Sequence, residues 1–106
     1  MNAIFYILNE KGEPKIEHIF DNWSEWFKNN DTHVADEWVD DVRVSTVFLG
    51  LDHKTPSQKS PVLWETVIFG GQYDQEMSRC SGSREQAEAM HFSVVNKIKT
   101  LKESVK

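Results

Sequence analysis

Two apolar runs constrain what this chain can fold into more than anything else in it. They are Val42–His53 (VRVSTVFLGLDH) and Val62–Gly71 (VLWETVIFGG). Both are rich in β-branched and aromatic residues, and both end in turn chemistry, Asp52-His53 in one and Gly70-Gly71 in the other. Such runs read as strands. The polar stretch Lys54–Pro61 (KTPSQKSP) between them reads as a loop, so the pair forms a central antiparallel hairpin. A simple loop centred there sets Leu51 against Leu63, Leu49 against Glu65 and Val47 against Val67. One face then carries Ser45, Val47, Leu49, Leu51, Leu63, Glu65, Val67 and Phe69. The other carries Val44, Thr46, Phe48, Gly50, Asp52, Val62, Trp64, Thr66 and Ile68. Both faces are largely apolar, whereas an antiparallel sheet normally turns one face to water. Cover on both sides is therefore expected, from the rest of the chain or from another subunit, which makes homo-oligomerisation an expectation.

The rest of the chain supplies the cover. Ala3–Leu8 (AIFYIL) reads as a strand, Asn9–Pro14 (NEKGEP) as a turn, and Lys15–Ile19 as a returning strand. Ile16, Ile19 and Phe20 also fit a helical face with Trp23 and Phe27. A short aromatic helix over about 21–29, capped by Asp21 or Asn22, puts Trp23, Trp26, Phe27 and Asn30 on one side. That stripe reads as core, not as a ligand box. Thr32–Val39 reads as an edge strand whose Asp36 and Glu37 discourage pairing with another chain. Asp40-Asp41 turns into the central strand, and Gln75–Cys80 reads as a last strand.

The C-terminal helix has the clearest local signature. Ser83-Arg84-Glu85-Gln86 is a capping box, in which Ser83 takes the Gln86 amide and Gln86 reaches back. Ala87, Met90, Val94, Ile98, Leu101 and Val105 follow at steps of three and four, a continuous apolar stripe over a helix of about 84–105. Glu85 and Glu88 lie near its start and Lys97, Lys99, Lys102 and Lys106 near its end, a polarity that suits the helix dipole. The fold class is thus α+β: a four- to five-stranded antiparallel sheet, a short aromatic helix and a long C-terminal helix. At 106 residues, without a repeat or a dividing linker, residues 1–106 form a single domain.

Charge narrows the partners. The net charge is −5, and residues 1–76 hold fourteen acids against six bases. An acidic body disfavours nucleic acid, because affinity for the phosphate backbone comes from Lys and Arg. The basic tail is accounted for by helix chemistry. Asp31–Asp41 holds five acids and no Lys or Arg. It reads as a solvated edge or, through Asp36, Glu37, Asp40 and Asp41, as a surface for a basic partner. A single cysteine, Cys80, makes neither a disulfide nor a thiolate metal framework, and it suits a reducing, cytoplasmic setting. No leader-like segment and no apolar run of about 18 residues stand out, so no membrane association is expected.

Four residues form the candidate polar cluster. Glu65 alternates with Leu63, Val67 and Phe69 on an apolar face, where a carboxylate needs a partner. His91 interrupts the apolar stripe of the second helix and supplies one if that helix covers the Glu65 face. Asp52 and His53 end the central strand. A Glu–His pair is a structural ion pair, a general acid/base unit or part of a metal site. With Asp52 and His53 it makes a two-carboxylate, two-imidazole set adequate for zinc or manganese, at a spacing that matches no named metal motif. Asp52 alone reads as a turn former. Ser45-Thr46 lies mid-strand, where hydroxyls bond neighbours more often than they attack substrates. No phosphate-binding glycine loop, nucleophile elbow or cysteine phosphatase loop is present, and no cofactor is expected.

The wording of the central hairpin also carries a resemblance. VSTVFLGLDH, then PVLWETVIFGG from Pro61, then Glu88-Ala89-Met90-His91, resembles small uncharacterised proteins of bacteriophages and prophages with a "VSTV-LGLDH … P-L-FET-VFGG … EA-A-H" core. The likeness spans residues 42–91. It departs at Trp64, where that group commonly has Phe, and at Ala89-Met90, where Ala-Gly is expected. Together with the absence of catalytic motifs, the resemblance implies a non-enzymatic accessory protein that binds and inhibits a host protein through the acidic stretch Asp31–Asp41 and an apolar sheet face, with a sponge for a small signalling nucleotide, bound at an oligomer interface, as a variant. The alternative is a small metal-dependent hydrolase or metal-binding protein using Asp52, His53, Glu65 and His91. The order helix, three strands, helix is also similar to double-stranded-RNA-binding domains, a function that the acidic charge argues against.

Overall fold

A computed structural model describes residues 4–104 of the chain. Its elements run β1 (Phe5–Leu8), β2 (Pro14–Glu17), α1 (Phe20–Asn29), β3 (His33–Val39), β4 (Val42–Phe48), β5 (Val62–Phe69), β6 (Met77–Ser81) and α2 (Arg84–Ser104). The architecture is α+β, with both helices where the apolar periodicity sets them. Strands β3-β4-β5-β6 form one antiparallel sheet, and β1-β2 form a separate hairpin. Ala3, expected in the first strand, and Val105, expected in the α2 stripe, lie outside the described residues.

The central hairpin pairs in a different register from the symmetric-loop expectation. Val47 faces Glu65, not Val67, and Phe48 faces Trp64. The reason lies at Gly50, whose φ of 74° kinks the chain out of the ladder. Leu49 N–H still bonds the Leu63 carbonyl at 2.7 Å, but the next bond runs from His53 N–H to the Val62 carbonyl. The β4 side therefore carries extra residues at the kink. The register moves by two, an even number, so the paired residues Arg43–Phe48 and Trp64–Phe69 keep their predicted faces, while Gly50, Leu51 and Asp52 leave the ladder.

Gly50 also joins the two sheets. Its carbonyl accepts Tyr6 N–H at 2.8 Å and the Trp23 indole N–H at 3.2 Å. Leu51 makes an isolated bridge with Phe5. A two-stranded hairpin is marginal alone, and here the aromatic side of α1 backs it. Phe5, Phe20, Trp23 and Phe27 make successive ring contacts, with centroids between 4.9 and 5.7 Å apart. Trp26 and Phe27 then reach Phe48, which packs on Trp64 at 5.0 Å. The aromatic stripe is packing, as expected, although every residue of α1 keeps some exposure.

The α1 cap differs from expectation. The helix starts at Phe20, so Asp21 and Asn22 lie inside its first turn, and Ile19 takes the cap position with no side-chain cap bond. Glu17 compensates by accepting Ile19 N–H at 3.1 Å. At α2 the capping box forms as expected, with Ser83 Oγ accepting Gln86 N–H and Gln86 Oε1 accepting Ser83 N–H.

A Cβ at position 50 would run into the Phe27 ring, in a backbone conformation that L-residues resist. Gly50→Ala is expected to cost about 1–3 kcal/mol. A urea midpoint equal to the wild type would contradict this account of the kink.

Candidate functional site

Alternation along the strands divides the four-stranded sheet into two unlike faces. Val44, Thr46 and Phe48 of β4 and Trp64, Thr66 and Ile68 of β5 are all buried on one of them. Helix α2 lies over that face, burying Ala87, His91, Val95 and Ile98. Met90 and Val94 flank this line as partly buried neighbours. The buried stripe thus centres on His91, rotated slightly from the one drawn through Met90 and Val94.

His91 is 2% exposed and hydrogen-bonded at both ring nitrogens. Nε2 lies 2.8 Å from Glu37 Oε1 on β3. Nδ1 lies 2.7 Å from Thr46 Oγ1 on β4, which in turn lies 2.5 Å from Thr66 Oγ1 on β5. Thr46 and Thr66 are direct cross-strand partners. One chain of polar groups therefore ties the helix to three strands. The carboxylate can only accept, so Nε2 carries the proton towards Glu37. With a neutral ring, Nδ1 accepts the Thr46 hydroxyl and Thr46 accepts the Thr66 hydroxyl. With a charged ring, both hydroxyls rotate and the chain runs the other way. No buried side-chain N or O among the described residues lacks a partner.

The order hydroxyl, imidazole, carboxylate is that of a nucleophilic triad. Burial argues against that use, since Thr46 and Thr66 are both enclosed. No scissile group reaches a hydroxyl sealed between helix and sheet, and nucleophilic attack needs contact. The expectation that the Thr46 hydroxyl bonds neighbours is met.

The four predicted site residues are not brought together. Glu65 lies on the opposite face, where Arg79 Nε donates to its Oε2 at 2.7 Å. His91 cannot meet it, because α2 covers the other face. Asp52 lies beyond the end of β4, with its side chain 8% exposed. Its Oδ1 accepts the N–H groups of Lys54 at 2.9 Å and Val62 at 3.0 Å. Burial pushes the Asp52 carboxyl up, but the two amides and the Lys54 ammonium outweigh it, so its pKa lies below the ordinary carboxylate value. His53 is exposed. Among the described residues no group of three or more His, Cys, Asp or Glu side chains is placed to hold a metal.

The acidic stretch is partly tied inward. Arg43 donates to both oxygens of Asp36, at 2.9 and 2.6 Å, and holds that carboxyl below its usual range. Glu37 meets His91. Asp40 and Asp41 form the exposed β3–β4 turn, with Asp40 at a φ of 55°. Burial pushes the Cys80 thiol up, which suits a packing role. Sequence reasoning missed Glu37 as the histidine's partner and Thr66 as the end of the chain. The available signal was the lone pair of hydroxyls, Thr46 and Thr66, on an otherwise apolar face. Comparisons with protein-family models, curated proteins and solved structures each find no match.

Two outcomes follow from this geometry. His91→Ala opens a cavity and strands Thr46, and is expected to cost about 2–4 kcal/mol. Glu37→Gln still accepts from Nε2 and is expected to cost about 1 kcal/mol or less; denaturant titration showing the reverse order would contradict the assignment. Asp52, with a depressed folded pKa, stabilises the fold above the ordinary carboxylate pKa near about 4. That contribution is lost as pH falls through the lower folded value. Stability curves of wild type and Asp52→Asn are therefore expected to converge in acid and to separate towards neutral pH.

Proposed function

We propose that this chain is a non-enzymatic accessory protein that binds a host protein and inhibits it, as its resemblance to phage proteins implies. The observation that carries the reading is the outer edge of the sheet. Strand β3 is terminal in the strand order, and the turn that follows it presents Asp40 and Asp41 to solvent. A partner with a basic face would be steered to this edge by charge and register on it through the exposed acids. Glu37, tied to His91, would anchor the edge to the body of the fold. The buried hydroxyl–imidazole–carboxylate chain has a sufficient role as a brace, so no catalytic use of it is invoked.

The test is affinity capture from a host lysate with wild-type protein and with Asp40→Asn/Asp41→Asn. Asn tolerates the left-handed conformation at position 40, so the turn is preserved. Wild type is expected to retain one defined, saturable partner, with binding that falls as salt is raised. The double variant is expected to retain it at least about tenfold more weakly. No specific partner, or one indifferent to both salt and the variant, would contradict the reading.

A further inference from the structure

The sheet face opposite α2 buries Ser45 and Leu63 but leaves large apolar side chains open to solvent. Strand pairing sets its side chains in rows: Trp38, Arg43 and Phe69 in one, Asp36, Ser45, Val67 and Met77 in the next, and Val47, Glu65 and Arg79 in the third. Trp38 is 65% exposed and Met77 57% exposed, with Phe69 also open to solvent. Exposed aromatic and thioether groups of this kind on one face mark an interaction surface.

The charges on this face select its occupant. Across the strand order the columns read acid, base, acid, base: Asp36 on β3, Arg43 on β4, Glu65 on β5 and Arg79 on β6. Each acid is paired with its neighbouring base, Asp36 with Arg43 and Glu65 with Arg79. The face thus carries two charges of each sign, although the chain as a whole carries −5. A strongly basic partner would be drawn to the acidic remainder of the surface, not here. A second copy of this chain, repelled elsewhere, meets no net repulsion at this face.

We infer that the open sheet face is a self-association surface, on which two copies pack back to back about a two-fold axis parallel to the strands. That axis lays β3 over β6 of the second copy and β4 over β5. Every acidic column then opposes a basic one. An axis across the strands would lay β3 on β3 and set acid columns on acid columns, so the charge pattern rejects it. In the favoured arrangement Asp36 comes within one row of the second copy's Arg79. Trp38 comes within one row of its Met77, a sulfur–aromatic pairing. Arg43 lies over the second copy's Phe69, repeating between copies the stacking seen within one, where the guanidinium carbon is 5.7 Å from that ring. Four strands at about 4.8 Å spacing and about 20 Å in length make a small face, so the contact is reversible and concentration-dependent. This surface is separate from the acidic β3–β4 turn assigned above, and the two can fail independently.

Sedimentation of the full chain over a wide concentration range tests the inference. Wild type is expected to pass reversibly from monomer to dimer. Trp38→Glu is expected to weaken the dimer by about tenfold or more, with an unchanged circular dichroism spectrum because the side chain is exposed. Asp36→Lys and Arg79→Glu each place like charges in opposed columns, and each alone is expected to remain monomeric. Mixed, the two variants are expected to form a one-to-one heterodimer, since each supplies the charge the other now needs. A wild type that stays monomeric at every concentration would overturn the inference. So would a dimer indifferent to Trp38→Glu, or folded charge variants that fail to associate when mixed.

Discussion

The fold depends on one buried imidazole. His91 sits where a helix covers a sheet, and both ring nitrogens need protein partners there because the ring is buried. Glu37 on β3 and Thr46 on β4 satisfy them, and Thr66 on β5 bonds Thr46 in turn. A hydrophobic residue at position 91 would pack against the same sheet, but it would not specify how the helix lies on it. Dispersion and burial tolerate small rotations and slides of a helix, whereas hydrogen bonds at both ends of an imidazole do not. The chain therefore fixes α2 against β3, β4 and β5, and it joins the edge strand to the middle of the sheet.

That arrangement makes the two sheet faces unlike. One is closed by α2 around Val44, Phe48, Trp64 and Ile68. The other keeps Trp38, Phe69 and Met77 open and holds its charges in neutral pairs. The polar residues of the closed face serve the fold, since they are sealed and fully bonded. The proposed partner contact uses the acidic turn at Asp40-Asp41 and the inferred self-association uses the opposite face, and β3 borders both. A carboxylate on β3 thus points to either side of the sheet: Glu37 inward to His91, Asp36 outward to Arg43.

Much of this was legible in the sequence, and the failures have physical causes. The two helices, the edge strand and the division of the central hairpin into faces follow from periodicities of 3.6 and 2, which local sequence records directly. Register was not legible, because it turns on a glycine kink at Gly50 that takes residues out of the ladder. The separation of the β1-β2 hairpin was not legible either, since it depends on the same kink and on rings distant in sequence. For the polar cluster, sequence identified Glu65 and His91 as residues in need of partners, and both have them. It paired them with each other because helical and strand patterns do not say which face a helix covers when both are apolar. Arg79, read only as part of the last strand, and Glu37, read as an exposed edge charge, are the partners that tertiary structure supplies.

The central claim is that the helix is held to the sheet by hydrogen bonds running through His91, and a double-mutant cycle measures it directly. Thr46→Val and His91→Leu, alone and combined, keep the volume of the packed layer and remove the bond from each side. If the chain acts as described, the single changes each destabilise, and the pair couples by about 0.5–3 kcal/mol in denaturant unfolding. Additive effects within about 0.5 kcal/mol would show that the two side chains contribute independently and would contradict the account.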